Sequence, residues 1–246
     1  MGKRKEAEDT TNLTLDTIWS RSVRILQPRR GYRFGIDAVL LAHFLEVRPD
    51  EDALEIGTGS GIIPILAERL GKHFARLTAI ELQPILALLA WRNFESNQLP
   101  VSVVITDARD YPLSSFPFTL IFTNPPYRKV GHGRLNPSSQ KAIARHELTL
   151  TLADLFDCAD RLLAPDGRLS LILPEFREKD FDALVASRGY SLQRRLYVHS
   201  FPDKPPAFFL ATAGKSPGPL VQDPPLVIYD SPGKYTAPMQ QLLSEK

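Results

Sequence analysis

Ala53-Leu54-Glu55-Ile56-Gly57-Thr58-Gly59-Ser60-Gly61 decides the fold. Four residues suited to a short buried strand run into three alternating glycines, and Ile62 to Leu70 then carries the apolar pattern of a helix that Gly71 stops. Pro64 falls near the first turn of that helix, where a missing N–H is tolerated. Moving outward, the unit repeats. Leu77 to Ile80 reads as a strand ending in Glu81, and a helix from about Pro84 to Ser96 follows. Val101 to Ile105 is a third strand, ending in Thr106-Asp107, and Phe118 to Phe122 is a fourth. Strands alternating with helices build an α/β fold with a doubly wound, mostly parallel sheet. Such sheets bind ligands outside the carboxyl ends of their strands, so Glu55, the glycine loop, Glu81, Asp107 and Asn124 are expected on one rim.

The flanks are simpler. Residues 1–12 are a polar, charged tail, Leu13 to Gln27 has the alternation of a hairpin, and Pro28 to Arg33 is a basic turn. Asp37 is placed to cap an apolar helix over Ala38 to Leu45, closed by Pro49-Asp50. Beyond the fourth strand, Thr151-Leu152-Ala153-Asp154 resembles a capping box for a helix reaching Leu163. Pro165-Asp166-Gly167 is expected to turn into a strand, Arg168 to Leu173, and a helix spans about Phe176 to Ser187. Strands near Leu192–Val198 and Ala207–Thr212 follow, then a linker, Lys215 to Pro219. Residues 226–246 give a short strand and a polar terminal helix. The division expected is an arm and hairpin over 1–35, the main domain over 36–214, and an extension packed on it over 215–246.

A lone cysteine, Cys158, excludes an internal disulfide and suits a reducing cytosol. The first twenty residues lack the apolar segment of a signal peptide, and Ile85 to Trp91 is far shorter than a membrane span. The expectation is a soluble, cytoplasmic protein that does not engage membrane. No metal-ligand spacing and no nucleophile–base constellation stands out, so no metal is expected. The net charge is only +2, but it is unevenly spread. Residues 1–34 carry net +4 and residues 128–145 net +5, which leaves the remainder at −7. Two basic segments are the footprint of a phosphate-rich partner such as RNA.

One of those segments begins directly behind Asn124-Pro125-Pro126-Tyr127. The prolines supply no N–H, and Asn124 is pushed toward an extended conformation by the proline after it. An exocyclic amine fits between the Asn124 carboxamide oxygen and a proline carbonyl, with Tyr127 stacked over its ring. Two such acceptors draw a delocalised lone pair out of conjugation and ready it for attack. On the cofactor side the spacing departs from the dinucleotide pattern, because Ile62 and Ile63 follow Gly61. Glu81 is placed to accept ribose hydroxyls and Asp107 an adenine amino group. Two acids with no phosphate partner suit S-adenosylmethionine, whose sulfonium is the electrophile that the amine site needs.

Together, Ala53 to Gly61, Glu81, Asp107 and Asn124 to Tyr127 resemble the Rossmann-like, class I methyltransferases of the amino-group branch. Gly31-Tyr32-Arg33-Phe34-Gly35-Ile36-Asp37-Ala38-Val39-Leu40-Leu41-Ala42 and Ala144-Arg145-His146-Glu147 resemble more closely the bacterial adenine-N6 methyltransferases of a valine tRNA anticodon loop. That resemblance implies a seven-stranded sheet whose last strand runs antiparallel, with a small N-terminal hairpin and helix extension. It implies that Phe34, Asp37, Glu55, Gly57, Thr58, Gly59, Gly61, Glu81, Asp107 and Asn124 meet the cofactor. Asn124, Pro125, Pro126 and Tyr127 would take the target amine. Arg128, Lys129, Arg134, Arg145 and His146 are the candidates for contacting RNA. Rival readings are N5-methylation of a protein glutamine, a non-catalytic RNA-binding module, and a nicotinamide dehydrogenase, which the glycine spacing disfavours.

Overall fold

A computed structural model describes residues 13–19, 23–31, 33–113, 116–125 and 150–244. An antiparallel hairpin, β1 (Leu13–Ile18) and β2 (Val23–Pro28), opens the described chain, followed by helix α1 (Ile36–Phe44). The alternating unit then runs β3 (Asp52–Ile56), α2 (Ile62–Arg69), β4 (Arg76–Glu81), α3 (Pro84–Ser96), β5 (Ser102–Ile105) and β6 (Phe118–Thr123). The second half comprises α4 (Leu152–Leu162), β7 (Leu163–Pro174), α5 (Glu178–Ser187), β8 (Ser191–His199) and β9 (Pro206–Gly214).

Strand order across the main sheet is β5-β4-β3-β6-β7-β9-β8, and β9 is antiparallel to both its neighbours while the strands from β5 to β7 are parallel. These seven are the expected strands, but the sheet has nine. Two short strands, β10 (Val221–Gln222) and β11 (Leu226–Val227), pair in parallel with β8 and cover its outer edge. The C-terminal region ends in a small hairpin, β12 (Tyr229–Ser231) with β13 (Lys234–Tyr235), and helix α6 (Ala237–Leu243).

Three local expectations need correction. Asp37 does not cap α1: Gly35 holds the N-cap position without a side-chain bond, and Asp37 lies in the first helical turn. Pro165-Asp166-Gly167 does not separate two elements, because β7 is one strand with a register shift against β6. The helix expected from Phe176 starts instead as a 3-10 turn over Glu175–Arg177. The Thr151 box is present as read, with its hydroxyl accepting from Asp154 N and the Asp154 carboxylate accepting from Thr151 N.

Both faces of the sheet are buried, which explains the near-continuous apolar runs of the central strands. Along β3, Ala53 faces a core built with α1, α2, α3 and the hairpin, while Leu54 and Ile56 face α4 and α5. Leu120, Ile121 and Phe122 of β6 are fully buried, each contributing about 1.5–3 kcal/mol of transfer free energy. Among the described residues no helix is long and apolar enough to cross a membrane.

At the amino ends of the strands a buried ion pair joins segments that are distant in sequence. Arg168 on β7 pairs with Glu51, whose side chain is fully buried, and also donates to the Glu46 carbonyl at 2.6 Å. Thr119 donates to the same carboxylate at 2.5 Å. Removing one partner strands the other in a dry site. Arg168→Met is expected to lower unfolding free energy by about 3–5 kcal/mol in urea titration, with cofactor affinity unchanged because the pair lies at the far end of the sheet.

Candidate active site at the carboxyl rim

The carboxyl ends of four parallel strands are level. Ile56 pairs with Ile80 on one side and with Thr123 on the other, and Glu81 pairs with Ile105. The loop after β3 is strapped to β4, since Gly57 N and Thr58 N both donate to the Ile80 carbonyl, at 2.8 and 3.1 Å. Gly57, Gly59 and Gly61 have φ of +75°, +59° and +79°, in the left-handed region that glycine adopts without strain. A Cβ on Gly61 would lie 2.7 Å from the Phe94 ring, so the last glycine is also required by packing. Above Gly57 there is open space, with nothing within 4 Å of an added Cβ. The loop therefore offers bare main chain to a ligand.

Two carboxylates stand beneath it in different states. Glu81 is engaged on both oxygens, accepting from Gly59 N and from Gln83 N, each at 2.9 Å. It therefore braces the loop as well as facing the rim. Glu55 is buried, accepts from the Thr58 hydroxyl, and leaves Oε1 without a hydrogen-bond partner. Burial pushes the Glu55 carboxyl from the ordinary value of 4.5 up to about 8, the Thr58 bond opposes that rise, and the Glu81 charge adds to it. An orphaned buried oxygen beneath an open glycine cradle fits a site that takes a polar ligand.

Asp107 already has a partner within the chain. It accepts from Arg109 N at 3.0 Å and forms a two-point ion pair with the Arg109 guanidinium, which holds its carboxyl below the usual aspartate value. An adenine amino group would share an acceptor that already has a partner. Arg109 was missed, although an arginine two residues beyond an aspartate is a visible signal. Phe34 is partly buried against the α1 side of the core, and its N–H donates to Gln27 Oε1 at 3.1 Å.

Asn124 and Pro125 follow β6 directly, and Pro125 is buried. Thr123 Oγ1 donates to the Ile56 carbonyl at 2.8 Å, tying this corner to the start of the glycine loop one strand away. Asn124 Nδ2 donates to Asp37 Oδ2 at 3.0 Å. The structure thus brings Asp37, Glu55, the loop, Glu81 and Asn124 to one rim. Pro126, Tyr127, Arg128, Lys129, Arg134, Arg145 and His146, and also Tyr32, lie outside the described residues. On the hairpin, Arg33 pairs with Asp16 and Arg29 donates to the Leu13 carbonyl, so two of its cations are tied to the hairpin itself.

Another residue that the sequence reading passed over is Asn93. Fully buried in α3, it accepts from Leu26 N at 2.8 Å, donates to Leu26 O at 3.0 Å, and donates to the Ser60 carbonyl at 2.8 Å. One side chain thereby holds both the hairpin and the glycine loop. A cleft of about 580 Å³ lies elsewhere, at the amino ends of β4 to β6 among Phe74, Arg76, Val101 and Phe116.

A family model, the methyltransferase small domain, matches residues 33–183. A tRNA1(Val) (adenine(37)-N6)-methyltransferase of Porphyromonas gingivalis is 34% identical over 83% of this chain and 84% of its own length. The protein of that name from Tolumonas auensis is 28% identical over 92% and 94%. A crystal structure described as a predicted O-methyltransferase from Agrobacterium tumefaciens superposes with a TM-score of 0.61 at 22% identity, covering 84% of this chain and 94% of that one.

Two outcomes follow from the rim. Between pH 4.5 and about 8 the folded chain keeps a proton on Glu55 that the unfolded chain has released, so stability falls as pH rises through that window and levels above it. Glu55→Gln carries no such proton and is expected to flatten that decline in urea midpoints taken from about pH 5 to about pH 9. Asn93→Leu leaves the Leu26 and Ser60 groups unpaired. It is expected to cost about 2–4 kcal/mol and to weaken cofactor binding measured by calorimetry.

Proposed function

The chain belongs to the methyltransferase small-domain family, and from that membership, its kinship with tRNA1(Val) adenine-N6 methyltransferases and its rim geometry we infer that it methylates N6 of an adenine in tRNA. S-adenosylmethionine is the methyl donor, and its sulfonium supplies an electrophilic carbon. The observation that carries the reading is the pairing of Ile56 with Thr123, which sets the Asn124 corner one strand from the glycine loop.

The chain's own residues then divide the work. Gly57, Thr58, Gly59 and Gly61 present main chain to the cofactor, with Glu81 for the ribose, Asp107 toward the adenine, and Phe34, Asp37, Glu55 and Asn124 around the remainder. Glu55 keeps a carboxyl oxygen in reserve beneath that cradle. The Asn124 carboxamide oxygen and the Pro125 carbonyl accept the two N–H groups of the target amine, drawing its lone pair toward the methyl carbon. Tyr127 stacks on the ring that Pro126 helps to seat. Held there, the cofactor would supply its methyl group to that nitrogen with loss of the C–S bond, and the methylated nitrogen would give up a proton to water. In-line placement of the two reactants supplies up to about 7–11 kcal/mol of the barrier reduction, so no dedicated base is needed.

The target adenine must leave its stack to reach the corner, at a cost of a few kcal/mol that is smallest in a loop. The basic stretch from Arg128 through Lys129, Arg134, Arg145 and His146 would follow the phosphates, together with the basic N-terminal segment. Such an enzyme works where tRNA matures, in the cytoplasm.

Labelled S-adenosylmethionine incubated with separate tRNA, rRNA, DNA and protein fractions, then digested, is expected to yield N6-methyladenosine from tRNA. N5-methylglutamine in the protein fraction would overturn the assignment. Asn124→Ala is expected to abolish transfer while cofactor affinity stays within a few-fold, read by calorimetry.

A further inference from the structure

The carboxamide of Asn124 can act as an acceptor toward the target amine only if its oxygen, not its NH2, faces that amine. Both orientations have nearly the same shape, so something must select one. Asp37, 87 residues earlier and on a different element, makes the selection possible. Its Oδ2 receives the Asn124 NH2 at 3.0 Å, and a carboxylate can only accept, so the flipped amide would set oxygen against oxygen. Asp37 is itself held, because its Oδ1 accepts from Ala38 N at 3.0 Å in the first turn of α1. The residue before that turn is Gly35, where an added Cβ would lie 2.7 Å from the same Oδ1. The carboxylate is thus fixed from two sides, in a position that a larger residue at 35 would disturb.

From this we propose that Asp37 is a positioning residue for methyl transfer: it fixes the Asn124 carboxamide so that its oxygen meets the substrate amine. The contact is charge-assisted, and it polarises the amide so that more negative charge resides on that oxygen. This role is separate from lining the cofactor pocket. The inference rests on the proposed function, and its test is chosen to fail separately.

The measurement is single-turnover methyl transfer from labelled S-adenosylmethionine to tRNA by the full chain, alongside calorimetric affinity for S-adenosylhomocysteine. At saturating S-adenosylmethionine, Asp37→Ala is expected to slow transfer about tenfold to hundredfold, a loss beyond whatever its place in the cofactor pocket costs in affinity. Gly35→Ala keeps both functional residues, displaces the carboxylate, and is expected to slow transfer in the same way; it serves if Asp37→Ala folds poorly. The sign of one substitution in two backgrounds is decisive. In the native background Asp37→Asn is expected to slow transfer. In an Asn124→Asp background, where two carboxylates would oppose each other, Asp37→Asn restores a donor and is expected to speed transfer about tenfold or more.

Asp37→Asn slowing transfer in both backgrounds, or Asp37→Ala changing only cofactor affinity, would overturn the pairing and leave the function intact. A native chain that binds cofactor yet methylates no tRNA would overturn the function and this inference with it.

Discussion

Main-chain hydrogen bonds hold Ile56 level with Ile80 on one side and Thr123 on the other, and that register fixes where each functional group emerges. Side chains in a strand alternate between faces, so a slip of one residue would send Leu54 and Ile56 into the opposite core and move Glu81 away from Gly59. The register is specified from both sides. Apolar cores on either face penalise a slip, and the buried Glu51–Arg168 pair pins the opposite ends of the strands. Stability at one end of the sheet and chemistry at the other are consequences of the same alignment.

On the rim itself, the acidic residues take different parts because their surroundings differ. Glu81 receives two main-chain N–H groups and stiffens the loop, whereas Glu55 receives one hydroxyl and retains a dry, unpaired oxygen. Asp107 meets a guanidinium and Asp37 meets a carboxamide. A carboxylate's role is set by its donors, and residue type alone would have treated the four as equivalent.

Much of this was legible in the sequence because it is local. The strand, glycine loop and helix occupy one continuous stretch, and the Thr151–Asp154 box spans four residues. The illegible parts are pairings across long separations. Asp37 reads as a helix cap because aspartate ahead of an apolar run is an N-cap signal, yet Gly35 takes that position and the carboxylate turns to residue 124. Nothing periodic joins Arg168 to Glu51 or Asn93 to Leu26. Asn93 did leave a trace, since it sits on the α3 face that also buries Leu86, Ala90 and Phe94. An amide on such a face must find partners there. The two extra strands were invisible for a different reason: two-residue strands have no pattern long enough to read.

Those short strands have a role that their size conceals. β8, paired with β9 on one side, would otherwise end the sheet with a nine-residue edge along which alternate residues turn unpaired N–H and C=O groups outward, and an open edge of that length is a template for pairing with another chain. By laying Val221–Gln222 and Leu226–Val227 along it, the C-terminal segment works as a selvedge that stops the weave from catching on its neighbours. The tail thus guards colloidal behaviour on the flank of the sheet farthest from β5.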